Sequence, residues 1–221
     1  MVSSGEGRND EGEDDIPRLS AHTLAALSEF YAEQENHQGG TVDENWQLSQ
    51  FWYSKETAQK LAEECISAVS EGGCIACISC PTLMEYLIIN EKIVSGRISV
   101  KLFEFDDRFA SKYAKNFIKY DYRQPLEIPP EHKGGYDLII ADPPFLADEC
   151  LVKVAQTVRL LSKGQASKGQ ANTKTIICTG AIMQEMVERI FSAHQCTFKP
   201  THQNNLANEF ACFANYNTQI L

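Results

Sequence analysis

Asp142-Pro143-Pro144-Phe145 brings together one carboxylate, unladdered backbone carbonyls and an aromatic ring. Two successive prolines fix φ and remove two backbone donors. Each also drives the residue before it toward extended backbone, which stiffens Asp142 and Pro143. Such a ledge suits a nitrogen. An amine can donate to the Asp142 carboxylate and to the Pro143 carbonyl. The Phe145 face then packs on a flat base or attracts an ammonium through its quadrupole. The plain alternative is a proline-rich turn that closes a core strand.

The element that must hold this ledge is the apolar run Leu138–Ala141, preceded by Gly134-Gly135 and too short for a helix. It reads as a strand buried on both faces, hence part of a parallel sheet. Open α/β sheets bind ligands at the carboxyl ends of their strands. The ledge is similar to the Asp-Pro-Pro-aromatic signature of amino-directed S-adenosylmethionine-dependent methyltransferases. Other strand ends then acquire roles. The strand 98–106 finishes with Glu104 and Asp106, placed to accept both ribose hydroxyls of a nucleoside, Glu104 first. The short strand 117–122 carries Asp121, which can accept from an adenine amino group, and Tyr122, which can lie against the ring.

Trp46, Phe51, Trp52 and Tyr53 form an aromatic cluster interleaved with Asn45, Gln47, Ser49 and Gln50. Buried amides need partners, which counts against a pure core plug and for a segment folded over the cofactor that lines the target channel. Ser54 caps a helix over 55–69, with Glu56 and Glu64 expected on its outer face. Further helices are expected at 82–94, 108–116, 147–161 and 182–194, and strands at 74–80 and 173–179. Two last strands, 196–202 and 209–216, joined at 204–208, suit a hairpin. Five strand–helix alternations followed by a hairpin describe an α/β fold: a Rossmann-like seven-strand sheet with helices on both faces and an N-terminal helical extension.

The organisation expected is a disordered acidic tail over 1–18, a helix and aromatic segment over 19–54, and the main domain over 55–221. The helix at the start of 19–54 is capped by Ser20 and carries Leu24, Leu27, Phe30 and Tyr31 at helical spacing. The near-duplicated Ser162-Lys163-Gly164-Gln165 and Ser167-Lys168-Gly169-Gln170 read as a tolerated loop insertion. Eight cysteines without a signal-like start are expected as reduced thiols in a cytoplasmic protein. The Cys74, Cys77 and Cys80 spacing does not make a metal site, because strand residues three apart face opposite ways. The net charge of −10 argues against a stable nucleic-acid binder and for a basic protein partner. No run approaches a membrane span.

From Leu19 onward the chain resembles the eukaryotic elongation factor 1-alpha lysine methyltransferases once grouped with N6-adenine DNA methyltransferases. The strings that carry this are Leu19-Ser20-Ala21-His22, Glu44-Asn45-Trp46-Gln47-Leu48-Ser49-Gln50-Phe51-Trp52-Tyr53-Ser54, Ile139-Ile140-Ala141-Asp142-Pro143-Pro144-Phe145, Cys178-Thr179-Gly180-Ala181-Ile182-Met183 and Asn205-Leu206-Ala207-Asn208-Glu209-Phe210. The resemblance implies S-adenosylmethionine as cofactor, a lysine of elongation factor 1-alpha as substrate, Asp142, Pro143, Pro144 and Phe145 as the catalytic ledge, and a cytoplasmic location. It also sets the carboxypropyl end of the cofactor against Ser79 and Cys80, where the wider superfamily has Gly-x-Gly. Phe145 stands where many relatives have Tyr. Two other readings are an N6-adenine nucleic-acid methyltransferase, since the same ledge serves a flipped adenine, and a non-catalytic module of the same fold.

Overall fold

The computed structural model describes residues 42–164, 173–204 and 206–221. The acidic tail, the helix expected after Ser20 and most of the duplicated loop lie outside the described residues. Seven strands form one sheet: β1 (Gly73–Ile78), β2 (Ile98–Glu104), β3 (Phe117–Lys119), β4 (Leu138–Ala141), β5 (Lys174–Gly180), β6 (His194–Gln195) and β7 (Phe210–Ala214). Their order is β3-β2-β1-β4-β5-β7-β6. β1 to β5 pair in parallel, and β7 runs antiparallel to both β5 and β6. The chain builds outward from β1 to β3, then returns to the other side of β1 with β4. A crevice therefore opens between the carboxyl ends of β1 and β4, as at the switch points of doubly wound sheets.

The helices are α1 (Lys55–Ala68), α2 (Met84–Leu87), α3 (Glu91–Val94), α4 (Arg108–Lys112), α5 (Asp148–Leu161) and α6 (Gln184–Phe191). The sheet is buried on both faces, and its strands alternate between two apolar clusters. Ile75, Cys77, Leu138 and Ile140 join the side packed by α1 and α2. Ala76, Ile78, Ile139 and Ala141 join the side packed by α5 and α6. Fully apolar β4 needs no polar face, which is why it carries no alternation in its sequence. Ser54 caps α1 as its spacing predicts: its Oγ accepts from Thr57 N at 3.2 Å.

Several expectations require correction. Glu64 is not on the outer face of α1 but fully buried. It accepts from Tyr216 Oη at 2.8 Å, Gln219 N at 3.0 Å and Ile220 N at 2.8 Å. The packing of segment 216–220 over the helix creates that environment, and helical spacing cannot reveal it. The expected helix 82–94 divides, because Asn90 is extended and caps α3 through Lys92 N at 3.0 Å. The helix expected over 108–116 stops at Lys112. The helix expected over 182–194 ends earlier, at a left-handed Ser192. Residues 196–202 do not form the sixth strand, which is the shorter β6. Part of their backbone bonds instead to the aromatic segment and the start of α1: Ser54 N donates to Thr201 O at 2.9 Å, and Thr201 N to Thr57 Oγ1 at 2.9 Å. The connection between the last two strands is thus a long loop rather than a tight 204–208 turn.

Among the described residues no helix is long and apolar enough to cross a membrane. All eight cysteines are free thiols.

Candidate active site

A cavity of about 630 Å³ sits at the crevice. It is lined by the turn after β1 and the ledge after β4, by the end of β2 with residues 120–123, and by segment 47–53 with His202, Leu206, Ala207, Asn208 and Phe210. The ledge is pinned to β1, since Asp142 N donates to Ile78 O at 3.0 Å. Phe145 is 39 % exposed and tilts against Tyr122 with ring centroids 5.7 Å apart. Of the residues singled out by sequence, Ser79, Cys80, Glu104, Asp121, Tyr122, Asp142, Pro143, Pro144, Phe145, Phe51, Trp52 and Tyr53 all line this cavity. Trp46 opens a short 3-10 turn, Trp46–Leu48, and its side chain lies outside what the structure describes.

Asp106 is not among the lining residues. Its carboxylate accepts from Gln50 Nε2 at 3.1 Å and from Arg108 Nε at 2.8 Å. Burial would raise its pKa, but the hydrogen bonds and charge of Arg108 prevail and hold it below the usual range. Arg108 Nη2 in turn donates to Gln50 Oε1 at 3.0 Å. Both ends of the Gln50 amide are thereby fixed, and Gln50 does line the cavity. Asp106 therefore anchors the aromatic segment to the end of β2. Its proximity to the ribose position in sequence carries no sign of this role.

Glu104 is 5 % exposed, and its Oε1 accepts from Phe105 N at 2.8 Å and Asp106 N at 3.0 Å. Those two bonds aim the side chain. Burial nevertheless pushes its pKa up to about 7, so the charge is under-satisfied and calls for more donors. Hydroxyl groups of a bound ligand are donors of the right kind. Asp121 is gripped by Arg123, whose Nη2 donates at 2.8 Å, and this holds its carboxyl below the usual range. Lone pairs remain on a carboxylate so gripped, but the Arg123 fork was not legible from the spacing.

The turn after β1 has no glycine, yet it needs one conformationally. Ser79 has φ of +55°, in the left-handed region where a side chain is costly. Its N–H donates to Phe103 O at 2.9 Å, tying the turn to β2. Cys80 is 2 % exposed, with its thiol 3.7 Å from Ile140 O, so it offers backbone more than sulfur to a ligand. Ser49, at φ +52°, is a second strained serine on the cavity wall.

Asp142 meets the cavity on one side and protein on the others. Burial and the neighbouring Glu104 push its pKa up to about 7, against a lowering by the Tyr53 hydroxyl. The Tyr53 ring pairs with His202, centroids 5.0 Å apart, and His202 meets Phe210 at 4.5 Å. The contributions of His202, Leu206 and Phe210 come from the late part of the chain; only the string 205–210 hinted at them.

A switch-point cleft with an Asp-Pro-Pro-aromatic ledge and an acid at the end of β2 defines a class I S-adenosylmethionine-dependent methyltransferase. Residues 44–218 match the family model described as probable N6-adenine methyltransferase. The chain is 49 % identical to the protein-lysine N-methyltransferase M142.8 of Caenorhabditis elegans, over 93 % of this chain and 96 % of that one. It is 46 % identical to EEF1A lysine methyltransferase 1 of Homo sapiens, over 96 % and 98 %. It is 36 % identical to the protein-lysine N-methyltransferase EFM5 of Saccharomyces cerevisiae, over 90 % and 91 %. The chain belongs to this family and is an S-adenosylmethionine-dependent protein-lysine N-methyltransferase.

Proposed function

We propose that the chain methylates a lysine of translation elongation factor 1-alpha, in the cytoplasm. The observation that carries this reading is the partly buried Asp142 at the base of an aromatic-walled cleft open to the surface at Phe145. A long, thin lysine stem fills such a channel. The names of the human, mouse and chicken relatives supply the substrate, and the acidic balance of the chain suits a basic protein surface.

S-adenosylmethionine, when bound, supplies an electrophilic methyl group on a sulfonium. Glu104 would hold its ribose, Asp121 and Tyr122 its adenine, and the backbone at Ser79 and Cys80 its carboxypropyl end. Asp142 and the Pro143 carbonyl orient the lysine nitrogen, and alignment of this kind is worth about 7–11 kcal/mol. A lysine has an ordinary pKa of about 10.4, and desolvation by the aromatic wall lowers it toward the neutral form that can attack.

The family description keeps an adenine amino group in view as the alternative acceptor. Labelled S-adenosylmethionine should be offered with purified elongation factor 1-alpha and, separately, with adenine-containing DNA and RNA, followed by mass spectrometry. Label on a lysine of the factor, lost in Asp142→Ala, is the expected result. Label on adenine alone overturns the protein substrate.

A further inference from the structure

Tyr53 Oη is one of two side-chain polar atoms that are buried without a hydrogen-bond partner among the described residues. The side chain is 2 % exposed, yet it lines the cavity. Buried hydroxyls without partners are rare, and each calls for a reason. Asp142 lines the same cavity, and its carboxyl and the Tyr53 hydroxyl each alter the other's hold on its proton, although no bond of full hydrogen-bond geometry joins them. Catalytic hydrogen bonds in ligand-free sites are often long and tighten when substrate is present. The ring is also held from behind. Tyr53 forms a β-bridge to His202, and the next residue, Ser54, bonds through its N–H to Thr201 O at 2.9 Å. The hydroxyl is thus presented on a rigid mount.

We propose that Tyr53 is a positioning residue for proton removal: as the substrate lysine enters, its hydroxyl donates to one oxygen of Asp142 and leaves the other to take a proton from the lysine ammonium. The proposal rests on the lysine-methyltransferase reading. The proton balance is simple. Ammonium and carboxylate become amine and carboxylic acid, the amine uses its lone pair to form the nitrogen–methyl bond as the sulfur–methyl bond breaks, and the acid returns the proton to water. One proton leaves per methyl added.

The groups that face this pair are few. Glu104 approaches Asp142 from the end of β2 and raises its pKa. Cys80 after β1 and Cys178 on β5 face both Tyr53 and Asp142. Cys150 of α5 faces Asp142, and His202 backs the ring. Buried thiols keep their protons, so Glu104 and the Tyr53 hydroxyl are the two that tune the carboxylate. The hydroxyl lowers the Asp142 pKa, so its removal moves that value upward.

The test is Tyr53→Phe. The acid limb of kcat/KM for methylation of elongation factor 1-alpha should move up by about half to one pH unit, with kcat at pH 7 down about two- to fivefold and the KM for the factor nearly unchanged. A carbon-13 titration of the Asp142 carboxyl in the cofactor-free protein should show the same upward move. The hydroxyl is buried without a bond of full geometry, so its removal should change the melting temperature little. Should Tyr53→Phe fail to fold, 3-fluorotyrosine at position 53 keeps the shape, strengthens the donor and should move both readouts downward. An unmoved acid limb and an unmoved carboxyl titration would overturn the proposal. Wild-type protein that labels no lysine would instead defeat the function reading, while the carboxyl titration would still decide the role of Tyr53.

Discussion

Gln50 and Asp106, 56 residues apart in sequence, share a buried hydrogen bond of 3.1 Å that fastens the aromatic segment to the end of β2. A bond to a buried charged group is worth about 1.5–3 kcal/mol. Gln50→Ala should therefore weaken S-adenosylmethionine binding by up to about 10- to 150-fold, read by calorimetric titration.

Glu104 and Asp142 make stability depend on pH. Both carboxyls are raised in the folded state, to about 7, from ordinary values of 4.5 and 3.8. Between those values the folded chain keeps protons that the unfolded chain has released. Stability from these groups is therefore fully present at low pH, falls as pH climbs from about 4 toward 7, and levels off above. Glu104→Gln should remove its share, on the order of 1–3 kcal/mol between pH 5 and pH 8. Denaturant titrations of variant and wild type at both pH values would show it. Equal pH slopes for the two proteins would contradict the burial argument.

The buried carboxylate of Glu64 ties segment 216–220 to α1. Glu64→Ala strips three hydrogen bonds at once and should cost about 3–5 kcal/mol. Hydrogen exchange at Gln219 and Ile220 should rise sharply. Activity measured well below the melting point should persist, since Glu64 does not line the cleft.

Ser79 offers a test of the backbone. Its φ of +55° costs a side-chain-bearing residue roughly 1–2 kcal/mol. Ser79→Gly relieves that strain but adds freedom to the unfolded chain, so the two should nearly cancel, within about 1 kcal/mol of wild type. Ser79→Val should lose about 1–2 kcal/mol beyond that and reduce cofactor affinity, as a β-branched residue resists the left-handed region.

Gly180 packs against the ledge. A methyl group added there would stand 2.9 Å from Leu146 Cδ2, and Leu146 lines the cavity. Gly180→Ala should leave the fold intact, since a leucine tip can swing. It should still lower kcat several-fold by displacing the residue next to Phe145, as steady-state rates would show.

What could be read from the chain alone divides by the range of the interaction. The Ser54 cap, the apolar run of β4 and the double proline announce themselves because their causes are local: one turn of helix, four residues of strand, two fixed φ angles. Glu64 and Asp106 were misplaced because each owes its environment to residues far along the chain or to a side-chain fork that spacing does not encode. The β6 error has the same origin. Residues 196–202 have strand-like composition, but backbone groups of Thr201 pair with Ser54 and Thr57 instead of β7. The place of Glu104 at the end of β2 was legible because the apolar run before it is local.

The bridge between Tyr53 and His202 has a consequence for how this protein comes into being. Ser54 and its partner Thr201 are separated by 147 residues, so synthesis at about 5–20 residues per second exposes the aromatic segment roughly 7–30 seconds before its mount exists. During that interval Trp52 and Tyr53 emerge with nothing from the late loop to cover them. The cofactor-side strands β1 to β4 can assemble while the chain is still growing, whereas the substrate wall is completed only near the end of translation. A ribosome stalled before His202 would display the strand ends β1 to β4 without the late wall of the cavity.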